Sequence, residues 1–120
     1  GDWQMPSGRA AASRLLDLPD RPTAIFAFND EMAIGAMQVA RERGLRVPDD
    51  LSVVGFDGVE RGELLVPQLT TVRQPLAEMG RTAVSLLIRL LERRQMEALR
   101  VELATRFVER ESTGPPPVQT

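Results

Sequence analysis

Residues 23–57 read TAIFAFNDEMAIGAMQVARERGLRVPDDLSVVGFD, and the reading of this stretch decides the fold. Thr23 to Phe28 is a short apolar run after Pro22, bounded by Asn29 and Asp30. That length and those flanks predict a buried strand. Asn29 or Asp30 then caps a helix that runs to about Arg43. Asp30 and Glu31 sit in its first turn and Arg41 and Arg43 in its last, each complementing the helix dipole. Gly44 stands where a helix ends on a left-handed residue. Val47 to Asp50 is a turn, and Leu51 to Asp57 is a second buried strand that ends in a carboxylate. Strand, helix, turn and strand in so short a span form a βαβ unit. The fold class is therefore α/β, with a parallel sheet, flanking helices and a right-handed crossover.

On the N-terminal side, Gly1 to Gly8 is punctuated by Gly, Pro and Ser and reads as a loop that carries Trp3. Ser7 is positioned to cap a helix from Gly8 to about Asp17, with Ala11, Leu15 and Leu16 on one side. Pro19-Asp20-Arg21-Pro22 breaks it. On the C-terminal side an irregular stretch runs to Pro67, with room for one helical turn around Arg61 to Leu65. Leu69 to Gln74 is a third strand, stopped by Pro75. From Leu76 to about Arg94 runs the longest helix, with Leu76, Met79, Ala83, Leu87, Leu90 and Leu91 at helical spacing. Val84 and Ile88 widen that stripe, so much of its surface is expected to be buried. Two short strands follow, Arg100 to Ala104 and Phe107 to Glu109. The tail after Thr113, residues 114–120 with Gly114 and three prolines, reads as disordered.

Composition narrows the chemistry. The sequence of 120 residues has 42% hydrophobic but only 4% aromatic residues, so its core must be built from Leu, Val, Ile, Ala and Met. Its net charge of −2 singles out no polyanionic partner. Cysteine and histidine are absent, which removes the usual nucleophile–base pairs and most transition-metal sites. No enzyme activity, metal or cofactor is expected. Every basic residue is an arginine, and a phospho-acceptor receiver, which needs a strand-end lysine, is set aside on that ground. No apolar run approaches the length that spans a bilayer.

In open parallel α/β sheets, ligands bind beyond the carboxyl ends of the strands. Asn29, Asp57 and Gln74 each follow or end a strand here. Together they offer donors and acceptors suited to a polyhydroxylated or heterocyclic small molecule, and the face of Trp3 suits stacking on a ring. Each residue also has a plainer role open to it: Asn29 and Asp30 as helix caps, Asp57 as a turn residue, Trp3 as core.

Three segments together resemble the lactose-repressor/galactose-repressor (LacI/GalR) family of transcription regulators. They are Pro22 to Met37, Gly44 to Asp57, and Leu69 to Pro75 followed by Glu78-Met79-Gly80; the ending Val108 to Thr113 also fits. The resemblance implies part of a two-lobed domain like the periplasmic binding proteins, with an effector held between lobes. It implies that Asn29 and Asp57 hydrogen-bond a small-molecule effector, that Trp3 stacks on a sugar or sugar derivative, and that Gln74 contacts the effector near the lobe-connecting hinge. Asp30 keeps the capping role.

By the same comparison, residues 1–113 form a partial effector-binding and dimerisation domain. Residues 1–75 and 99–111 belong to the C-terminal lobe, and residues 76–94 form a helix that packs on the other lobe. Ile34, Met37, Leu64, Leu65 and Val66 are implied at a homodimer interface, where apolar side chains in an otherwise polar loop are covered by a partner. Operator DNA is contacted only through a helix-turn-helix domain expected upstream, in a cytoplasmic protein without membrane contact. A periplasmic sugar-binding component of a transporter is the alternative with the same fold.

Overall fold

In the computed structural model, which describes residues 1–95 and 100–118, the run after Pro22 contains the expected strand, but the strand is not buried, Phe26 being 65% exposed. Its paired part, β1, is Ala24–Phe26. Asn29 caps the next helix, α2, over Asp30–Glu42: its side-chain oxygen accepts from the Met32 backbone N–H. Gly44 takes the left-handed conformation, φ +72°, just beyond the helix end. Strand β2 covers Ser52–Asp57, and β3 covers Thr70–Arg73. Both β1–β2 and β2–β3 are parallel, Phe26 pairing with Val54 and Asp57 with Arg73. A fourth strand, β4, is Arg106–Val108, and the sheet order is β1-β2-β3-β4. The α/β class and the parallel βαβ unit are thus as read from the sequence.

The first helix, α1, covers Met5–Leu16 and begins earlier than the sequence suggested. Ser7 does not cap it; its hydroxyl donates to the Gln4 carbonyl instead. The start signal is Pro6, whose missing N–H costs nothing in a first turn. Gly8, Ala12 and Leu16, one turn apart, are its buried residues and face α2. There the helices cross backbone to backbone. A Cβ on Gly8 would lie 2.4 Å from the Met32 carbonyl oxygen, and one on Gly35 2.5 Å from that of Met5. With α1 on one side and β2 on the other, most of α2 is buried, and its apolar residues form one cluster with Leu51, Val53 and Leu69. Each large side chain fully withdrawn from water there contributes about 1.5–3 kcal/mol before the entropy of ordering it is subtracted.

The end of the chain stitches β2 to β3. Ser112, 0% exposed, donates from its hydroxyl to the Val53 carbonyl at 2.6 Å and accepts from the Thr70 N–H at 2.8 Å. Its own carbonyl accepts from the Val53 N–H at 2.9 Å. Thr113 meets Thr70 hydroxyl to hydroxyl, and Gly114 bonds through both N–H and C=O to the Ser52 hydroxyl. Gly114, assigned by sequence to the tail, is therefore tied to the sheet; Gln119 and Thr120 of that tail lie outside the described residues.

The described residues divide into two compact units, Gly1–Arg73 with Phe107–Thr120, and Gln74–Arg106. The second unit contains α3, Leu76–Leu91. None of its residues is buried, contrary to the burial expected from its apolar stripe. Among the described residues Leu76, Leu87, Leu90 and Leu91 of that stripe all stand exposed. The strand expected at Arg100 to Ala104 is irregular chain. Residue 99, given by sequence to the C-terminal lobe, lies outside the described residues.

Candidate functional site

The register of the sheet brings two of the sequence candidates to one edge. Phe26 pairs with Val54, so Asn29 and Asp57 each lie three residues past a matched pair, at the carboxyl ends of neighbouring parallel strands. Asn29 serves two elements at once. While its oxygen caps α2, its Nδ2 donates to the Trp3 carbonyl at 2.8 Å, fixing the loop before α1 against the end of β1. One amide hydrogen and one oxygen lone pair then remain for a ligand. The capping reading and the site reading of Asn29 are compatible.

Trp3 holds a left-handed backbone, φ 66°, which is uncommon for a bulky side chain. Asp2 closes the turn around it, its Oδ1 accepting from the Gln4 N–H at 3.0 Å. The Ser7 hydroxyl and the Gln4 N–H, the larger influence first, hold the Asp2 carboxyl below the ordinary aspartate range. The Trp3 indole is 60% exposed and meets Phe28 at a centroid distance of 5.8 Å, tilted by 47°. The two rings make an aromatic corner beside Asn29. Phe28 was not singled out from the sequence, where it closes an apolar run and reads as core.

Asp57 is half-buried at the end of β2 with φ +120°, outside the left-handed basin that Asn and Asp tolerate. Such a backbone costs on the order of 1–3 kcal/mol and persists only where its surroundings hold it. The turn that follows is bonded to Asp30, and here the expected capping role of Asp30 is corrected. Asp30 is 1% exposed and does not cap its helix; its carboxylate reaches across to the loop after β2. Oδ2 accepts from the N–H groups of Gly58 and Val59 at 3.0 and 2.8 Å, and Oδ1 from the Thr71 hydroxyl at 2.6 Å. Gly55 is required beneath it, because a Cβ there would lie 2.3 Å from Asp30 Oδ1. No local pattern signals this role, since the partners lie 28 to 41 residues away.

Gln74 opens the second unit, where its carbonyl accepts from the Leu76 N–H at 2.9 Å. A concavity of that unit, about 720 Å³, is an open trough along α3 between Ala77 and Arg94 and includes none of the four candidates. Its apolar lining is the exposed stripe of one helix, so it is no enclosed site.

The residues expected at a dimer surface divide in two. Ile34 and Met37 are buried within the single chain. Leu64 and Val66, in contrast, are 83% and 93% exposed. Met37 and Ile34 floor a groove of about 270 Å³ whose other side is Leu65, Val66 and Pro67. The loop carrying these residues is pinned by Arg61 to Glu31 at 3.2 Å and by Arg110 to Glu63 at 2.9 Å.

Among the described residues no group of acidic side chains is placed to hold a metal ion, and no helix is long and apolar enough to cross a membrane.

Comparison with known proteins agrees with this architecture. Residues 2–113 match the periplasmic binding protein-like domain. The chain is 40% identical over 112 residues to the ribose operon repressor of Halalkalibacterium halodurans, covering 93% of this chain and 34% of that protein. It thus spans about a third of the length of the curated relatives it matches. Among solved structures, a LacI family transcriptional regulator from Enterococcus faecium with bound ribose superposes with a TM-score of 0.86 at 33% identity, covering 98% of this chain and 42% of that one. A LacI family regulator from Arthrobacter sp. FB24 in complex with lactose gives 0.82 at 41% identity, covering 93% and 42%.

Proposed function

Because this chain belongs to the periplasmic binding protein-like domain family, in the branch carried by LacI-type transcriptional regulators, we propose that it is the effector-binding and dimerisation module of such a regulator. The effector is a sugar or sugar derivative. Trp3 and Phe28 offer it an aromatic corner, while Asn29 and Asp57 hydrogen-bond its hydroxyls. The resemblance alone assigns Gln74, in the second unit, an effector contact. The observation that carries the reading is the placement of Asn29 and Asp57 at the carboxyl ends of neighbouring parallel strands, with Trp3 tied to Asn29 by a hydrogen bond. An aromatic face beside a carboxylate and an amide suits a pyranose or furanose ring, whose C–H face stacks while its hydroxyls pair at the edge.

The two related structures with ribose and lactose bound support a sugar as the effector class. The relatives are repressors and regulators, which favours a regulator over a transporter component and over an enzyme. In the whole protein, the effector must bind one closure state of the domain more tightly than the other, since equal affinity for both shifts nothing. That difference reaches operator DNA through a DNA-binding domain elsewhere in the protein, and a homodimer formed over the groove beside Leu65 and Val66 presents two such domains together. The protein acts in the cytoplasm.

A thermal-shift screen of the full-length protein against ribose, lactose and related sugars tests this. A ligand that binds only the folded state raises its melting temperature. Stabilisation by a sugar that disappears in Asp57→Ala supports both the function and the site, whereas stabilisation that survives Asp57→Ala removes Asp57 from the site.

A further inference from the structure

A buried carboxylate that the proposed function does not use is bonded to the turn that follows Asp57. Asp30 stands at the first position of α2, but that helix already has its cap in Asn29. A buried carboxylate is costly unless it is hydrogen-bonded, and Asp30 accepts from the loop after β2 and from β3. One oxygen accepts two consecutive backbone N–H groups, those of Gly58 and Val59. Consecutive N–H groups converge on one anion where the backbone forms a nest or a sharp turn. Asp57 at φ +120° and Gly58 at φ +79° supply that geometry. The second oxygen is anchored to β3 by the Thr71 hydroxyl, and the bare Gly55 leaves the space in which the carboxylate sits.

We propose that Asp30 is the positioning residue for Asp57: by fixing the peptide groups that follow Asp57, it holds Asp57 in a backbone conformation it would otherwise leave and so aims its side chain. This rests on the reading of Asp57 as an effector contact. Without the acceptor at Asp30, the peptides of Gly58 and Val59 rotate, Asp57 relaxes to negative φ, and its Cβ points in a different direction. Asp30 touches no effector in this scheme; its influence passes through the main chain.

The test uses the full-length protein carrying Asp30→Ala, Asp30→Asn or Val59→Pro, with Asp57→Ala as reference. Asparagine can still accept from both N–H groups through its oxygen while its NH₂ donates to the Thr71 hydroxyl, so Asp30→Asn retains the turn. Alanine cannot. Val59→Pro removes one of the two donors at a residue whose φ of −70° a proline can adopt, and its ring Cδ presses on the carboxylate oxygen that the N–H met. It also serves if Asp30→Ala does not fold. Two readouts are taken: the φ of Asp57 in crystal structures of the variants, and calorimetric titration with ribose and lactose.

The expected result is that Asp57 leaves positive φ in Asp30→Ala and Val59→Pro, with sugar binding weakened about tenfold in the first and about threefold in the second, the effect of losing one or two hydrogen bonds. Asp30→Asn stays within about threefold of the parent, on the same scale. A folded Asp30→Ala or Val59→Pro protein whose Asp57 keeps its φ near +120° overturns the proposal. If Asp57→Ala leaves sugar binding unchanged, it is the site reading that fails, while the φ of Asp57 still decides the role of Asp30.

Discussion

Asn29 and Trp3 are joined by a 2.8 Å hydrogen bond from the Asn29 side-chain amide to the Trp3 carbonyl. The same amide group caps α2 through its oxygen, so one side chain both starts a helix and fixes the loop that presents the indole.

Replacing Asn29 separates these duties. Asn29→Asp keeps the cap but loses the donor to Trp3, so stability changes little while the loop loosens. Asn29→Ala loses both, at a cost of about 1 kcal/mol from the cap alone. Urea unfolding measures the first effect. The fluorescence of Trp3, the single tryptophan of this chain, measures the second as a change in emission maximum and anisotropy.

Ser112→Ala is expected to destabilise unit 1 by about 2–3 kcal/mol, because it leaves the buried Thr70 N–H and the Val53 carbonyl without their partner. Ser112→Gly adds backbone freedom to that loss and is worse. Chemical denaturation of the two variants checks both magnitude and order.

The turn before β2 carries a pH dependence whose sign is fixed. Arg46 donates from its side chain and then from its backbone N–H to the Asp50 carboxylate, which holds the Asp50 carboxyl below the ordinary aspartate value of 3.8. A depressed folded-state value means that the contribution is fully present above the unfolded value and is lost as pH falls through the folded one. An NMR titration should therefore place the Asp50 midpoint below 3.8 and move it upward in Arg46→Gln.

Val66→Glu tests the proposed dimer surface. The side chain is 93% exposed, so the folded chain accommodates the charge with little loss of stability. If a partner covers it, sedimentation of the full-length protein shows a shift from dimer toward monomer. An unchanged dimer with normal stability places the interface elsewhere.

What the sequence made legible was whatever local pattern controls. The apolar runs bounded by Pro22 and Asn29 and by Asp50 and Asp57 became β1 and β2, and Gly44 marks the end of α2 as a left-handed residue should. Placement of Asn29 and Asp57 at strand ends followed from topology, because parallel strands in register must end together. Misreadings arose where two signals competed. At α1 a serine with capping chemistry drew attention from Pro6, although the helix begins before Ser7. At Arg100 to Ala104 alternating polarity imitated a strand, but the chain there finds no ladder. Nothing in the sequence exposed the roles of Asp30 and Ser112. Their partners are brought to them by the fold, and a short motif records residue types without recording who arrives.

The stitch made by Ser112 and its neighbours also bears on synthesis. Unit 1 is assembled from two stretches of chain, with residues 74–106 made between them. When Arg73 leaves the ribosome, β2 and β3 exist as sequence, but the groups that close them, the Ser112 hydroxyl and the Ser112 carbonyl, have not been made. The Val53 main chain and the Thr70 N–H must meanwhile be satisfied by water, which keeps that edge of the nascent sheet open. Completion of the unit therefore waits for Ser112, made well after β3 ends at Arg73. During that interval the nascent chain presents parallel strands with unpaired groups, the state in which such sheets are most exposed to misassociation.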